Sequence, residues 1–324
     1  MKRIITTVAT ITLALVGLSN KASAQCTTVL SFSITNGADP QGDLYYDGTY
    51  LYGITFYGGT NYGGTIFKIK PDGTMYDTLH NFGSIQNDGY SSPGSLILNG
   101  GILYGMNIQG GAANSGTIFK INPNGTGYDT LHSFSGATGN TPYGSLISAG
   151  NFLYGMTYYG GLNNTGVIFK ILPNGTGYDT LHSFGNGSDG SYPYGSLYSD
   201  GTFLYGMTYS GGTSGNGLIF KIKPDGTAYD TLLNFNGTNG ANPRGSLISD
   251  GTFFYGMTVG GGGSFGDGLI FKIKPDGTMY DTLKTFNPTT GIQPYGSLIL
   301  NGGILYGMTN TDGANSGGTI FKIN

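Results

Sequence analysis

Glutamate and tryptophan are missing from this sequence, and cysteine occurs once, at Cys26. A single cysteine excludes an internal disulfide framework. Without glutamate, any acid–base carboxyl pair would have to come from aspartates alone. Charged residues make up only 10% of the chain, against about 25% in a typical soluble domain. No segment beyond the first twenty residues is long and apolar enough to cross a bilayer as a helix, and no helical hydrophobic period is present. What the chain has instead is 62 glycines and 25 tyrosines. The glycines are interleaved with Ile, Leu, Phe and Tyr, a distribution that marks turns between strands rather than disorder.

The start reads as a secretory signal. Lys2 and Arg3 supply a basic region, Ile4 to Leu18 an apolar stretch too short to span a membrane, and Ala22-Ser23-Ala24 a cleavage site. The expected organisation is therefore a signal peptide over residues 1–24 and one repeat domain over 25–324. The expected location is secreted, periplasmic or at the cell surface. Removing Lys2, Arg3 and Lys21 leaves 11 basic residues against 17 acidic ones, a net charge of −6. That balance argues against a nucleic-acid partner. Gln25 before Cys26 fits a lipid-attachment motif poorly.

A fixed period dominates the rest. The phenylalanine of an I-F-K-I motif recurs as Phe67, Phe119, Phe169, Phe220, Phe271 and Phe321, at steps of 52, 50, 51, 51 and 50 residues. A regular period in this range is the signature of a repeat architecture. One repeat contains four short runs rich in β-branched and aromatic residues: A (144–148), B (152–157), C (166–171) and D (178–184). Strands A and B are joined at Asp47-Gly48, Asn99-Gly100, Asp200-Gly201, Asp250-Gly251 or Asn301-Gly302, pairs favoured in two-residue hairpins. Strands C and D turn at Asp72-Gly73, Asn124-Gly125, Asn174-Gly175, Asp225-Gly226 or Asp276-Gly277. The B–C and D–A connections are longer, so in a meander the tight turns share one face and the long loops the other. The fold class expected is all-β, a six-bladed β-propeller of four-stranded blades. Residues 28–32, Thr-Val-Leu-Ser-Phe, read as a D strand, while the chain ends on a C strand. The N-terminal strand is thus expected to complete the last blade, with Thr27 facing Lys322.

The combination of P-x-G-S-L, L-Y-G-M-T, Gly-Gly loops, G-x-I-F-K-I and a D-G-T turn resembles the choice-of-anchor tandem repeat GloVer family. The resemblance covers essentially all of residues 27–324. It implies an exported bacterial protein with a propeller-like fold and carries no catalytic motif. Members commonly add a C-terminal anchor domain; up to Asn324 only the repeats are read, and surface anchoring is not expected from them.

The polar residues divide into structural and functional candidates. A two-residue C–D turn would set Lys68 opposite Asp77, Lys120 opposite Asp129, Lys170 opposite Asp179, Lys221 opposite Asp230 and Lys272 opposite Asp281. Such cross-strand pairs contribute roughly 0.2–1 kcal/mol each. Six more aspartates sit in turns, leaving Asp39, Asp43, Asp88, Asp189, Asp267 and Asp312. His80, His132 and His182 fill one repeat position that elsewhere holds Leu30, Leu233 or Lys284, which suggests a blade surface and no shared metal. No calcium-loop or phosphate-loop motif is present, so neither metal nor cofactor is expected.

The sharpest candidate is the residue before the inner strand, which should ring the mouth of the channel on the long-loop face. It is Gln41, Pro93, Tyr143, Tyr194, Arg244 and Tyr295 in turn. Flat rings with a few polar groups suit either a ligand site or a plug of the channel. Three functional readings follow. The first is a non-enzymatic binding or scaffold protein, monomeric, whose partner is a glycan or a cell-surface protein, with Gln41, Tyr143, Tyr194, Arg244 and Tyr295 as contacts. The second is a carbohydrate-active hydrolase or lyase with Asp43 as its acid. The third is a purely structural surface protein.

Overall fold

The computed structural model describes residues 28–185, 187–263 and 266–324. Phe32–Asn324 form one compact unit. No helix is present among the described residues, and none is long and apolar enough to cross a membrane. The third repeat shows the plan: A is Ile147–Ala149, B Phe152–Thr157, C Val167–Ile171 and D Asp179–Ser183. They pair antiparallel in the order A-B-C-D. Five sheets of this kind and a sixth of three strands make six blades, the expected propeller. Residues 28–31 belong to no strand.

Two sets of glycines are needed by this geometry. In strand B, a Cβ on Gly155 would lie 2.5 Å from Phe169 Cζ. The same holds for Gly105 against Phe119 and Gly206 against Phe220. The tip of the strand-C ring covers the bare backbone of strand B, which is why the Tyr-Gly of strand B and the I-F-K-I of strand C occur together in every blade. The second set precedes strand A. A Cβ on Gly144 would sit 2.4 Å from the carbonyl oxygen of Gly195, and Gly42, Gly94, Gly195 and Gly245 meet the next blade in the same way. Inner strands crowd towards the axis, and only glycine admits that approach. The serine that follows bolts the blades together. Asp43 N–H donates to Ser95 Oγ, Ser95 to Ser145, Ser145 to Ser196, Ser196 to Ser246 and Ser246 to Ser297, each at 2.8 Å.

The core lies between blades. Tyr104, Met106, Ile118 and Phe134 of blade 2 bury against Leu146, Leu153, Phe169 and Ile171 of blade 3, and four equivalent clusters fill the other junctions up to blade 6. At full burial each such side chain contributes on the order of 1.5–3 kcal/mol.

The turns depart from expectation in an instructive way. Only blades 2, 3 and 6 have two-residue A–B turns, and they span Gly100-Gly101, Gly150-Asn151 and Gly302-Gly303. Blades 1, 4 and 5 use four residues, because the aspartate caps its own loop: Asp47 Oδ1 accepts from both Thr49 and Tyr50 N–H at 2.7 Å. The C–D connection is not two residues either. Lys70 N–H bonds Thr74 C=O at 3.0 Å around Pro71-Asp72-Gly73, and Met75 at φ 57 supplies an extra residue. The added residue cancels the longer turn, so Lys68 still faces Asp77. All five expected ion pairs form, at 3.4–3.5 Å. In four of them the ammonium also lies 5.3–5.4 Å above a ring: Tyr50, Phe152, Phe203 or Phe253.

The expected fourth strand of the last blade is not formed. The last sheet consists of Ile299–Asn301, Ile304–Thr309 and Thr319–Ile323. Thr27, the expected partner of Lys322, lies outside the described residues. Phe32 stacks edge-on against Phe67 at 5.2 Å, as Phe82 does on Phe119 and Phe134 on Phe169 at 5.3 Å. Phe32 therefore keeps the ring packing of a D strand without the strand pairing. Among the described residues, no cluster or serine bond joins blade 6 to blade 1; Gly296 meets nothing within 4 Å of its Cβ direction. Met308 is 62% exposed and Ile320 83%, although their counterparts Met257 and Ile270 are buried.

Candidate functional site

The residues preceding strand A do converge on the long-loop face. Tyr143 and Tyr194 stack at 4.4 Å and 10°. The Arg244 guanidinium lies 5.2 Å from the other neighbour in this column, Tyr194, and 4.5 Å from Tyr295. Four successive blades therefore give one column: Tyr143, Tyr194, Arg244, Tyr295. Side chains of the long loops wall it. Tyr158 meets Tyr143 edge-on at 5.4 Å and Tyr194 at 5.9 Å, while Tyr209 lies 5.3 Å from the Arg244 guanidinium. Gln41 is not in the column: it is exposed, and its amide donates to Asp39 Oδ2 at 2.9 Å.

The three tyrosines of the column differ in the ring face they leave free. Tyr194 is covered by Tyr143 and by Arg244. Tyr295 is the open end, 37% exposed, its hydroxyl donating to Gln293 Oε1 at 3.1 Å. Burial raises the hydroxyl pKa of Tyr143 and Tyr194, and lifts that of Tyr158 to about 12, so all three stay protonated and neutral at ordinary pH. Arg244 is the charged member. It makes no hydrogen bond or ion pair among the described residues, and its Nε is buried with no partner. On the opposite face, the tight turns of blades 3 and 4 border a cavity of about 510 Å³ lined by Ser148, Asn151, Phe152, Tyr154, Ser199 and Pro224.

Asp43 occupies the blade-1 place of the junction serines. Its N–H is held by Ser95 and its side chain is exposed. Two of the aspartates left over from turns and pairs prove to be structural. Asp88 is buried; it accepts from His80 Nε2 at 3.0 Å, Tyr128 Oη at 2.5 Å and Gly89 N–H at 2.9 Å. Burial pushes its pKa up, but the bonds from His80 and Tyr128 outweigh that and hold it below the usual carboxylate range. Asp189 receives His182 Nε2 at 3.2 Å.

The histidine position is not a blade surface, which corrects the sequence reading. A β-bulge between Thr130 and His132 turns Leu131 and His132 towards blade 3. His132 lies parallel to Tyr178 at 3.9 Å, His80 to Tyr128 at 3.5 Å and His182 to Tyr229 at 4.1 Å. Simple alternation could not show this, because the bulge resets it. The signal in the sequence was the tyrosine four residues before each such position. Tyr76, Tyr128, Tyr178, Tyr229 and Tyr280 each reach back to the preceding D–A loop, bonding the carbonyl of Asn36, Thr138, Asp189 or Asn239, or the Asp88 carboxylate. Among the described residues, no group of three or more His, Cys, Asp or Glu is arranged to hold a metal ion.

These features define an all-β propeller with an aromatic, singly cationic mouth. The model of the Gloeobacter/Verrucomicrobia repeat matches residues 16–203 and again 198–324, so the chain belongs to that family. The family resemblance read from the sequence is borne out. No curated protein matches the sequence. Among solved structures, a chain of a nidogen/laminin complex is similar with TM-score 0.52 and 16% identity, over 84% of this chain and 92% of that one. An oligogalacturonate lyase in complex with manganese is similar with TM-score 0.60 and 12% identity, over 89% and 78%. At these identities the likeness shows the fold alone.

Proposed function

We propose that the chain is an exported, non-enzymatic binding protein that takes a glycan at the mouth on its long-loop face. The observation that carries this is the column Tyr143–Tyr194–Arg244–Tyr295. Blades built on one strand plan make similar structural demands at this position, and strands B and C hardly vary. The mouth position nevertheless holds Gln, Pro, Tyr, Tyr, Arg and Tyr. The open face of Tyr295 is a flat apolar platform with a polar neighbour, the combination that sugar rings use. The propeller fold shared with binding proteins and with a lyase of acidic oligosaccharide is compatible with this use. Asp43, the candidate acid of the enzymatic reading, has its backbone in the serine chain between blades, which favours a part in the junction over hydrolysis.

The test is a glycan array probed with the chain lacking residues 1–24, followed by titration of any retained glycan. Tyr295→Ala should weaken binding by about tenfold, the loss of one aromatic contact, with an unchanged melting curve. Retention that is identical in the variant removes the mouth from the account. No retention anywhere on the array favours the scaffold reading.

A further inference from the structure

The column Tyr143–Tyr194–Arg244–Tyr295 carries one charge, on Arg244. Arg244 is the only arginine after Arg3. The equivalent position in the other five blades is uncharged, and those blades keep the same A-B-C strand order, four of them with the fourth strand as well. Every strand-C lysine of blades 1–5 has its aspartate. Arg244 has none among the described residues, only the rings of Tyr194, Tyr209 and Tyr295. Those rings orient a guanidinium and offset part of its desolvation, but they accept no hydrogen bond in its plane. Its Nε is buried and unpaired, which is unfavourable for a donor unless an acceptor completes the site. A planar cation held rigid between rings, its fork unspent, matches the geometry of a planar oxyanion.

We infer that the mouth selects glycans bearing an anionic group, a uronate carboxylate in the first place, with Arg244 taking the anion and Tyr295 the adjoining ring. The inference rests on the glycan reading above and narrows it to acidic chains. The net charge of −6 after Ala24 makes the selectivity local, because the rest of the surface repels such a ligand.

The probes are a galacturonate hexasaccharide, its fully methyl-esterified counterpart, a sulfated hexasaccharide and a neutral one, titrated calorimetrically at low and at moderate salt. The wild type should bind the free uronate about ten- to a hundredfold more tightly than the ester, as expected of a charge-assisted pair. Arg244→Gln should erase that ratio while keeping the weaker binding of the ester, and Arg244→Lys should restore part of it. Tyr295→Ala should weaken acid and ester alike. Preference for the sulfated probe over the uronate would keep the anion and change its source. Equal affinity of the wild type for acid and ester overturns the anion inference while the mouth still stands. Binding unmoved by both Arg244→Gln and Tyr295→Ala overturns the mouth and the inference together. Binding to none of the four probes overturns the inference as stated.

Discussion

Replacing His132 by leucine should remove part of the acid sensitivity of this protein. His132 lies flat on Tyr178 and edge-on to Phe134 at 5.1 Å, and its Nε2 is buried without a partner. Burial lowers its pKa from 6.5 to about 4. The ring is therefore neutral in the fold throughout that interval. The unfolded chain takes up its proton below pH 6.5, whereas the folded chain does so only near pH 4. Stability contributed by the neutral ring is complete above pH 6.5 and is lost progressively as pH falls towards 4. At 1.36 kcal/mol per pH unit the whole interval is worth about 3 kcal/mol, and about 2 kcal/mol after allowance for the ring's residual solvent contact. Leucine is already used at the equivalent position in blade 4, where Leu233 packs with Tyr280. His132→Leu should thus be close to neutral at pH 7.5, or slightly stabilising because an unsatisfied ring nitrogen disappears. Urea midpoints of wild type and variant, measured from pH 4.5 to 7.5, provide the assay. All other titrating groups are common to both proteins, so only the difference matters. The variant's advantage should grow steadily below pH 6.5. Parallel curves would refute the burial of a neutral imidazole.

Three further outcomes follow from the same geometry. Asp88→Asn should cost about 2–4 kcal/mol in denaturant unfolding, since it weakens bonds to His80, Tyr128 and the Gly89 N–H in a buried site; no loss would mean the cluster is open to water. Gly155→Ala should cost about 1–3 kcal/mol or more, because the new Cβ would stand 2.5 Å from Phe169 Cζ, and an unshifted melting temperature would contradict this close ring packing. Lys170→Met should cost about 1 kcal/mol or less, as its partner Asp179 is 57% exposed; collapse of the fold would assign the lysine another role.

The parts of the fold that were legible in the sequence are those governed by one residue and its neighbours in the chain. The 50–52-residue period, the four strands and the Lys–Asp register all belong here. The register survived a wrong turn length because a three-residue turn and a left-handed residue such as Met75 cancel. Asp47 shows why the A–B turns divide: the blades with Asp make a longer loop because the carboxylate caps two backbone N–H groups, whereas Asn99, Ala149 and Asn301 precede two-residue turns. The histidines were misread because the bulge reverses the side on which they emerge. For the mouth, the sequence showed which residues share a level but not that Tyr194 would be covered on both faces. That depends on the angle between neighbouring blades, which no single repeat encodes.

Among the described residues, the five packed junctions give this propeller the energetics of a line with two ends. Blades 2 to 5 each have two packed neighbours among the described residues, while blades 1 and 6 have one. When each unit is stabilised mainly through its neighbours, opening starts at the ends and moves inward. Amide hydrogens of Thr319–Ile323 should then exchange soonest and those of Val167–Ile171 and Leu218–Ile222 last. The column of rings spans blades 3 to 6, so Tyr143 and Tyr194 rest on the most protected blades and Tyr295 on the least. A ligand held between Arg244 and Tyr295 would draw its strength from tying a loose terminal blade to a firm one, and its binding would appear as slowed exchange in blade 6.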